Sequence, residues 1–380
     1  MGGRAFPDLC VPRMNHQVYE KVKQTALKIL SKRFISATAI PEAPEKLDYG
    51  DVDIVIELSS STPLPHQQVA LDLRAKHIKN NHPTYSFAVP LEDKDIEVQT
   101  FAQVDVQVCL PGDLAWTIFL HGYGDLGSIL GMFNFSDGFT SNHGGFFVRI
   151  KEQEAQNWSA SQVFLSKDPN LVMHFLGLDK HKFKSGFDSE RQLFDWAVKS
   201  RLFSRRSVMK RKENSETRSR MEKRPMFRRF MSQYLPSIPD VDCDLTQTRE
   251  AHTEAALLFF DKADEFNTRR TKVLIENAED HAWYIVKTTI LTPLAKLEAK
   301  KLNEVVRALK RFVAFKSGEP YICDEPEMDV ERQARFAFYI TEADEVNSKL
   351  RDWILRNWEE VRTRERQRAK GSRRAAAQQG

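Results

Sequence analysis

Asp51, Asp53 and Asp105 are three residues whose type and spacing could do chemistry together. The first two stand in "LDYGDVDIVIEL", residues 47–58, just after Gly50. There Val52, Ile54, Ile56 and Leu58 alternate with Asp51, Asp53, Val55 and Glu57, the period-2 pattern of an extended chain. Side chains at i and i+2 of a strand share a face and lie roughly 6–7 Å apart along it. In "AQVDVQVCL", Val104, Val106 and Val108 alternate with Gln103, Asp105 and Gln107, so Asp105 points away from the apolar face of its own strand. Pairing of these two strands would bring three carboxylates to one end of a sheet. Like charges repel, and burying them unpaired raises their pKa values or costs several kcal/mol. A divalent cation reverses the sign of that problem. Mg²⁺ (or Mn²⁺) is hard, prefers oxygen, and is held by carboxylates plus substrate phosphates. Two such ions about 3.5–4 Å apart stabilise the attacking and leaving oxygens of a phosphoryl or nucleotidyl displacement. The plainer reading makes Asp51 and Asp53 turn residues after Gly50 and leaves Asp105 facing solvent.

The flanking sequence supplies elements to position these acids. Val18, Val22, Ala26, Leu27, Leu30 and Phe34 predict a helix over 16–34, and "QQVALDLRAKHIKNN" a second one. "TYSFAVP", "DIEVQTF" and "QVDVQVCL" predict short strands, and "PGDLAWTIFLH" a further helix. "GFFVRIK" and "SQVFLS" are candidate closing strands near residue 165. The expected fold class is α+β, an N-terminal mixed sheet with flanking helices followed by an all-α C-terminal region. Boundaries are expected at 1–165 for the sheet domain and 166–240 for a helical, basic connecting region. A C-terminal helical domain over 241–366 and a disordered tail over 367–380 complete the chain.

"DYGDVDIVIE" followed by "QVDVQV" resembles the h-[DE]-h-[DE]-h … h-[DE]-h signature of the nucleotidyltransferase superfamily, the polymerase β-like group. The "GG" of "MGGRAF" resembles that family's G-[GS] turn. "GGRA…VPRM…IPEAPEKLDYGDVDIVIE", "HGYGDLGSILG…FFVRI", "FLGLD…SRLF" and "KRPMF" look like a divergent branch of fungi and large phages, out to about residue 235. The resemblance implies a metal-dependent enzyme that moves NMP from an NTP to a hydroxyl acceptor, for which RNA is one candidate. Asp51, Asp53 and Asp105 would be its catalytic and metal-binding residues. Gly2, Gly3 and Arg4 would contact the triphosphate. Because Gly2 follows Met1 directly, the alternative is an impaired member that binds nucleic acid or protein through the same fold.

Charge and composition bound the partners. Residues 201–230 carry twelve Lys/Arg against three Glu, and 351–380 nine against four acids, so the rest of the chain is −10 within a net +4. Such concentrated positive charge suits a polyanion, because each neutralised phosphate releases counterions, and RNA is expected along 201–230. The rival reading is a solvated linker and tail. Four scattered cysteines form no C-x-x-C pair and predict neither a disulfide framework nor zinc. "GYGDLG" lacks the preceding strand that a dinucleotide site needs, and a tight helix–helix turn is expected there instead. Without a long apolar run or an apolar leader, no membrane partner is expected, and the location is expected to be cytoplasmic or nuclear. Arg149 and Lys151 are expected either to reach phosphates or to face solvent, and Asp125 to cap a helix.

Overall fold

The computed structural model describes residues 3–58, 64–91, 99–239, 248–328 and 344–377. It divides into two compact units, Met1–Ala263 and Asp264–Gly380. The first unit opens with helix α1 (His16–Leu30), whose first turn is closed by the Asn15 side chain accepting from the Val18 N–H at 2.9 Å. Strands β1 (Ser36–Ala39) and β2 (Asp51–Glu57) follow, then α2 (His66–Leu73), β3 (His77–Asn81), β4 (Thr84–Pro90) and β5 (Phe101–Cys109). They form one mixed sheet in the order β1-β2-β5-β4-β3, in which only the central β2–β5 pair is parallel.

The alternating pattern does what it predicts. Val52, Ile54 and Ile56 of β2 and Val104 and Val106 of β5 are fully buried against α1 and α2, through Tyr19, Ala26, Leu30, Val69 and Leu73. At about 25 cal/mol per Å² of apolar surface, each such side chain contributes roughly 1.5–3 kcal/mol. That burial holds the opposite face of β2, with Asp51 and Asp53, in fixed register.

Two edge strands depart from the sequence reading. The helix expected to run through 67–81 ends at Leu73, because Arg74 takes a left-handed conformation (φ 54°) and its N–H closes the last turn. "HIKNN" is therefore strand β3. It and β1, "SATA", are short and polar or small, the composition of edges that pack on one side only. Residues 92–98, where the "DIEVQTF" strand was expected to begin, lie outside the described residues.

Helices α3 (Leu114–His121) and α4 (Leu126–Ser136) flank "GYGDLG", which forms the turn between them, with Gly124 at φ +65°. "GFFVRIK" and "SQVFLS" do form strands, but in a separate sheet β6-β7-β8 (Phe139–Asn142, Gly145–Arg149, Gln162–Ser166). Short helices α5 (Pro169–Leu176), α6 (Lys180–Ser185) and α7 (Glu190–Ala197) come next, and Leu193, Phe194 and Trp196 are core residues. The basic stretch folds into α8 (Arg205–Arg211), α9 (Ser215–Lys223) and α10 (Pro225–Arg229).

The second unit is mostly helical, as expected, with its own apolar cluster around Trp283, Leu309, Phe312 and Ile354. It also contains a hairpin, Val313–Lys316 with Glu319–Ile322, inside the span expected to be wholly helical. Ser317 and Gly318 both have positive φ, the geometry that a two-residue hairpin turn requires. The final helix, Asp344–Ala377, continues through most of the segment whose composition predicts a disordered tail. Its arginines largely meet acids: Arg362 and Arg366 each reach Glu304 at 2.7 Å, and Arg368 reaches Glu365 at 2.8 Å. Among the described residues, no helix is long and apolar enough to cross a membrane.

Candidate active site

The parallel β2–β5 register places Asp53 directly opposite Asp105 and Asp51 opposite Gln103. Asp51, Asp53 and Asp105 each offer a carboxylate oxygen, and these oxygens lie within 4.8 Å of one another. The convergence expected from two separate alternating strands is thus present in the fold. It comes from register, since residues paired across two strands lie side by side on one face.

Burial works against three negative charges here. The Asp53 carboxyl is pushed far above the usual carboxylate range, first by burial and then by Asp51 and Asp105. Asp105 is pushed up to about 6, again chiefly by burial, while hydrogen bonds from Ser86 and Gln103 pull it the other way. An all-oxygen set of clustered, desolvated carboxylates fits a hard divalent cation, whose charge would offset both the burial and the repulsion that raise these groups.

The N-terminal segment reaches this cluster. Gly3 donates its N–H to Asp51 Oδ2 at 3.2 Å, across 48 residues of sequence. Ala5 N–H donates to Gln103 Oε1 at 2.9 Å, and Gln103 Nε2 donates to both oxygens of Asp105 at 3.0 Å. Gln103, almost fully buried, therefore ties the Gly-containing segment to one acid of the trio. Sequence reasoning noted Gln103 only as an alternating residue. Its signal was a polar side chain two positions from Asp105 on the same face. Gly2 lies outside the described residues, and Arg4 is exposed.

Gly3 has φ +79°, and a Cβ there would stand 2.5 Å from the Gly50 carbonyl oxygen. Gly3→Ala must therefore lift the segment or strain it by about 1–3 kcal/mol. Amide exchange over residues 3–11 is expected to accelerate roughly 5- to 150-fold, with the rest of the unit unchanged. Unaltered exchange would show that the segment does not depend on this close approach.

Asp51 and Asp53 open into a cleft of about 920 Å³, also lined by Arg13, Lys46, His121 and Arg224. Several of its cations already have partners: Arg13 meets Asp48 at 2.7 Å, Lys46 meets Glu42 at 2.5 Å and Arg224 meets Asp125 at 3.0 Å. Asp125 sits at the start of α4 but does not cap it. Its carboxylate instead accepts from Arg224 and from the Phe227 N–H at 3.1 Å, which draws the basic region to the cleft. Arg229 joins Glu190 in the same wall, at 2.7 Å from its Nε. Burial, His143 and Arg224 lower His121 to about 4, so it is neutral at physiological pH.

Arg149 neither faces solvent nor lines this cleft. It is buried, pairs with Glu154 at 3.0 Å and donates to the Phe135 carbonyl at 2.7 Å. Lys151 forms an exposed pair with Glu250 at 3.0 Å.

No family model matches the chain, and no curated protein matches it. Two solved structures of Leishmania infantum polymerase beta, a ternary P/T complex and a ternary gap complex, are similar to part of it. Each shares 15% identity over 44% of this chain, covering 74% and 68% of the respective polymerase chains, with a TM-score of 0.32. Such loose overlap assigns no residue a role, and the acidic trio stands on its own geometry.

Proposed function

We propose that this chain is a divalent-metal-dependent nucleotidyltransferase that moves NMP from an NTP to a hydroxyl, with RNA as the acceptor. The observation that carries the reading is the Asp53–Asp105 pairing across a parallel register, with Asp51 beside it on the same face. The polymerase β-like group, and within it the fungal and large-phage branch, is the family this reading implies.

In this reading Asp51, Asp53 and Asp105 hold Mg²⁺ or Mn²⁺. The bound cations would supply charge stabilisation to the attacking and leaving oxygens of an in-line displacement. The chain's own residues do the rest. Gly2, Gly3 and Arg4 are the residues proposed to contact the triphosphate, Gly3 by exchanging its Asp51 partner for a phosphate oxygen. Arg13 and Lys46 can exchange their carboxylate partners for phosphate oxygens within the same cleft. Asp105, oriented by Gln103, faces the acceptor hydroxyl and can take its proton. Arg224 and Arg229 give the acceptor backbone a basic wall. The compartment proposed is the cytoplasm or nucleus, where nucleotide substrates and RNA are found together.

The test is incubation with labelled NTPs, Mg²⁺ or Mn²⁺ and total RNA, beside an Asp53→Asn control. Label entering RNA with the parent protein alone supports the reading; equal labelling by both removes it.

A further inference from the structure

Away from the acidic trio, the end of α4 carries an arrangement that the cleft does not explain. Phe135 and Trp158 are 38% and 37% exposed, and their rings stack at 5.2 Å with planes 19° apart. The Arg149 guanidinium lies 4.5 Å from the Phe135 centroid and 4.3 Å from that of Trp158. Arg211 lies over Phe135 at 4.0 Å. Glu154 accepts from both Arg149 and Arg249. Arg149 and Arg249 thus share one carboxylate, while Arg211 stacks on Phe135 and feels the charge of Glu216 instead. Arg211 Nε is buried without a hydrogen-bond partner among the described residues.

A phosphate on the half-buried Arg211 guanidinium would give an anionic partner to a side chain whose Nε has none. The neighbouring rings narrow the kind of anion. An inorganic phosphate would use the arginine and leave the aromatic pair idle. A nucleotide uses both, its phosphate on the guanidinium and its base on an indole face. Bases are available for stacking only when they are unpaired, which selects a single strand over a duplex. Trp158 is also held ready: its carbonyl accepts from Ser161 Oγ at 2.7 Å, within a turn closed by Ala160 N–H donating to Asn157 Oδ1 at 3.0 Å. A fixed ring loses little conformational freedom on binding.

Position links this pair to the cleft. Helix α4 starts beside Asp125 in the cleft wall and carries Phe135 in its last turn, and its eleven residues span about 16 Å. Arg211 ends α8, and α9 and α10 lead from it back to Arg224 and Arg229. Exposed Arg206, Lys210, Arg218, Lys223 and Arg228 lie along those helices.

We infer that Trp158, Phe135 and Arg211 form a docking site for single-stranded nucleic acid, taking a base and a phosphate several nucleotides upstream of the acceptor end. The inference rests on the nucleotidyltransferase reading for the direction of the strand, but its binding chemistry does not need the reaction.

The test uses the full chain in EDTA, so that no metal chemistry intervenes, and a short fluorescein-labelled oligo-uridine RNA read by anisotropy. Trp158→Ala is expected to weaken binding roughly 5- to 150-fold, the worth of one stacked base, and Trp158→Phe to retain most of it. Arg211→Gln is expected to flatten the log–log salt dependence by about 0.7, the loss of one phosphate contact on a single strand. Thermal melts confirm that each variant is folded. If Arg211→Gln is not, the exposed Trp158 decides. Binding unchanged in Trp158→Ala overturns the site, as does a parent protein that does not bind the RNA. Polyglutamate competing as well as RNA of equal charge would also overturn it, by reducing the surface to a simple charge effect. RNA binding that depends on Trp158 without NTP transfer would leave this site standing and remove the enzyme reading. Transfer with Trp158-independent binding would do the reverse.

Discussion

Asp53→Asn is expected to lower NMP transfer by roughly 10²- to 10⁴-fold, the several kcal/mol that metal stabilisation of a displacement supplies at 1.36 kcal/mol per tenfold. The substitution keeps the shape of the side chain and removes one anionic oxygen from the centre of the trio. Asp53 is the natural choice because it stands between its neighbours: Asp51 lies two residues back on its strand, and Asp105 lies across the register. Losing its charge therefore weakens a site shared by all three acids, where Asp51→Asn would act at one edge. The control is Asp72→Asn on α2, whose carboxylate pairs with Arg33 at 2.6 Å on the other side of the sheet. That exposed pair is worth at most about 1 kcal/mol, so transfer should be unchanged. Steady-state transfer with saturating metal and NTP distinguishes the two. Asp53→Asn at parental rate would remove the trio from the chemistry.

How far the sequence exposed this site follows from where each piece of information lies. Alternation made β2 and β5 legible, because Val52, Ile54, Val104 and Val106 face a core that tolerates no one-residue slip. The same constraint fixed the face that Asp51, Asp53 and Asp105 would share. Their partners were hidden, because Gly3 meets Asp51 across 48 residues and Ala5 meets Gln103 across 98. No local periodicity encodes such contacts. Strands β1 and β3 escaped because an edge needs neither apolar alternation nor length. Arg149 looked like a surface cation because its charge suggests solvent, yet Glu154, two carbonyls and two aromatic rings enclose it. The hairpin at 313–322 was readable in principle. "KSGE" between two short runs rich in Val, Phe, Tyr and Ile is a turn signal, but the amphipathic helix before it obscured the change of period.

The largest effect on stability should come from pH acting through the same acids. Asp53 and Asp105 have folded-state values raised above their unfolded ones, so the native state holds protons that the unfolded chain releases. Stability then falls as pH rises, because the native state binds more protons in that range. The contribution is complete below about pH 4 and is lost as pH climbs through about 6 for Asp105, and over a higher range for Asp53. For Asp105 alone the change is on the order of 3 kcal/mol, which in a unit of this size lowers the melting temperature by several degrees. In EDTA, Tm should therefore drop between about pH 4 and about pH 8. Saturating Mg²⁺ or Mn²⁺ should oppose the drop, and more strongly at the higher pH, because metal and protons compete for the same oxygens. Asp53→Asn separates this effect from general acid–base behaviour of the fold. An amide has no proton to release and no charge to repel, so the variant should melt higher than the parent in EDTA at about pH 8. It should also gain less from added metal. One substitution would thus stabilise the metal-free protein and disable the enzyme, the signature of a residue retained for chemistry at the expense of the fold. A variant that melts lower than the parent at that pH, or a parent whose Tm is indifferent to metal, would mean that the clustered carboxylates neither destabilise the metal-free fold nor bind a cation.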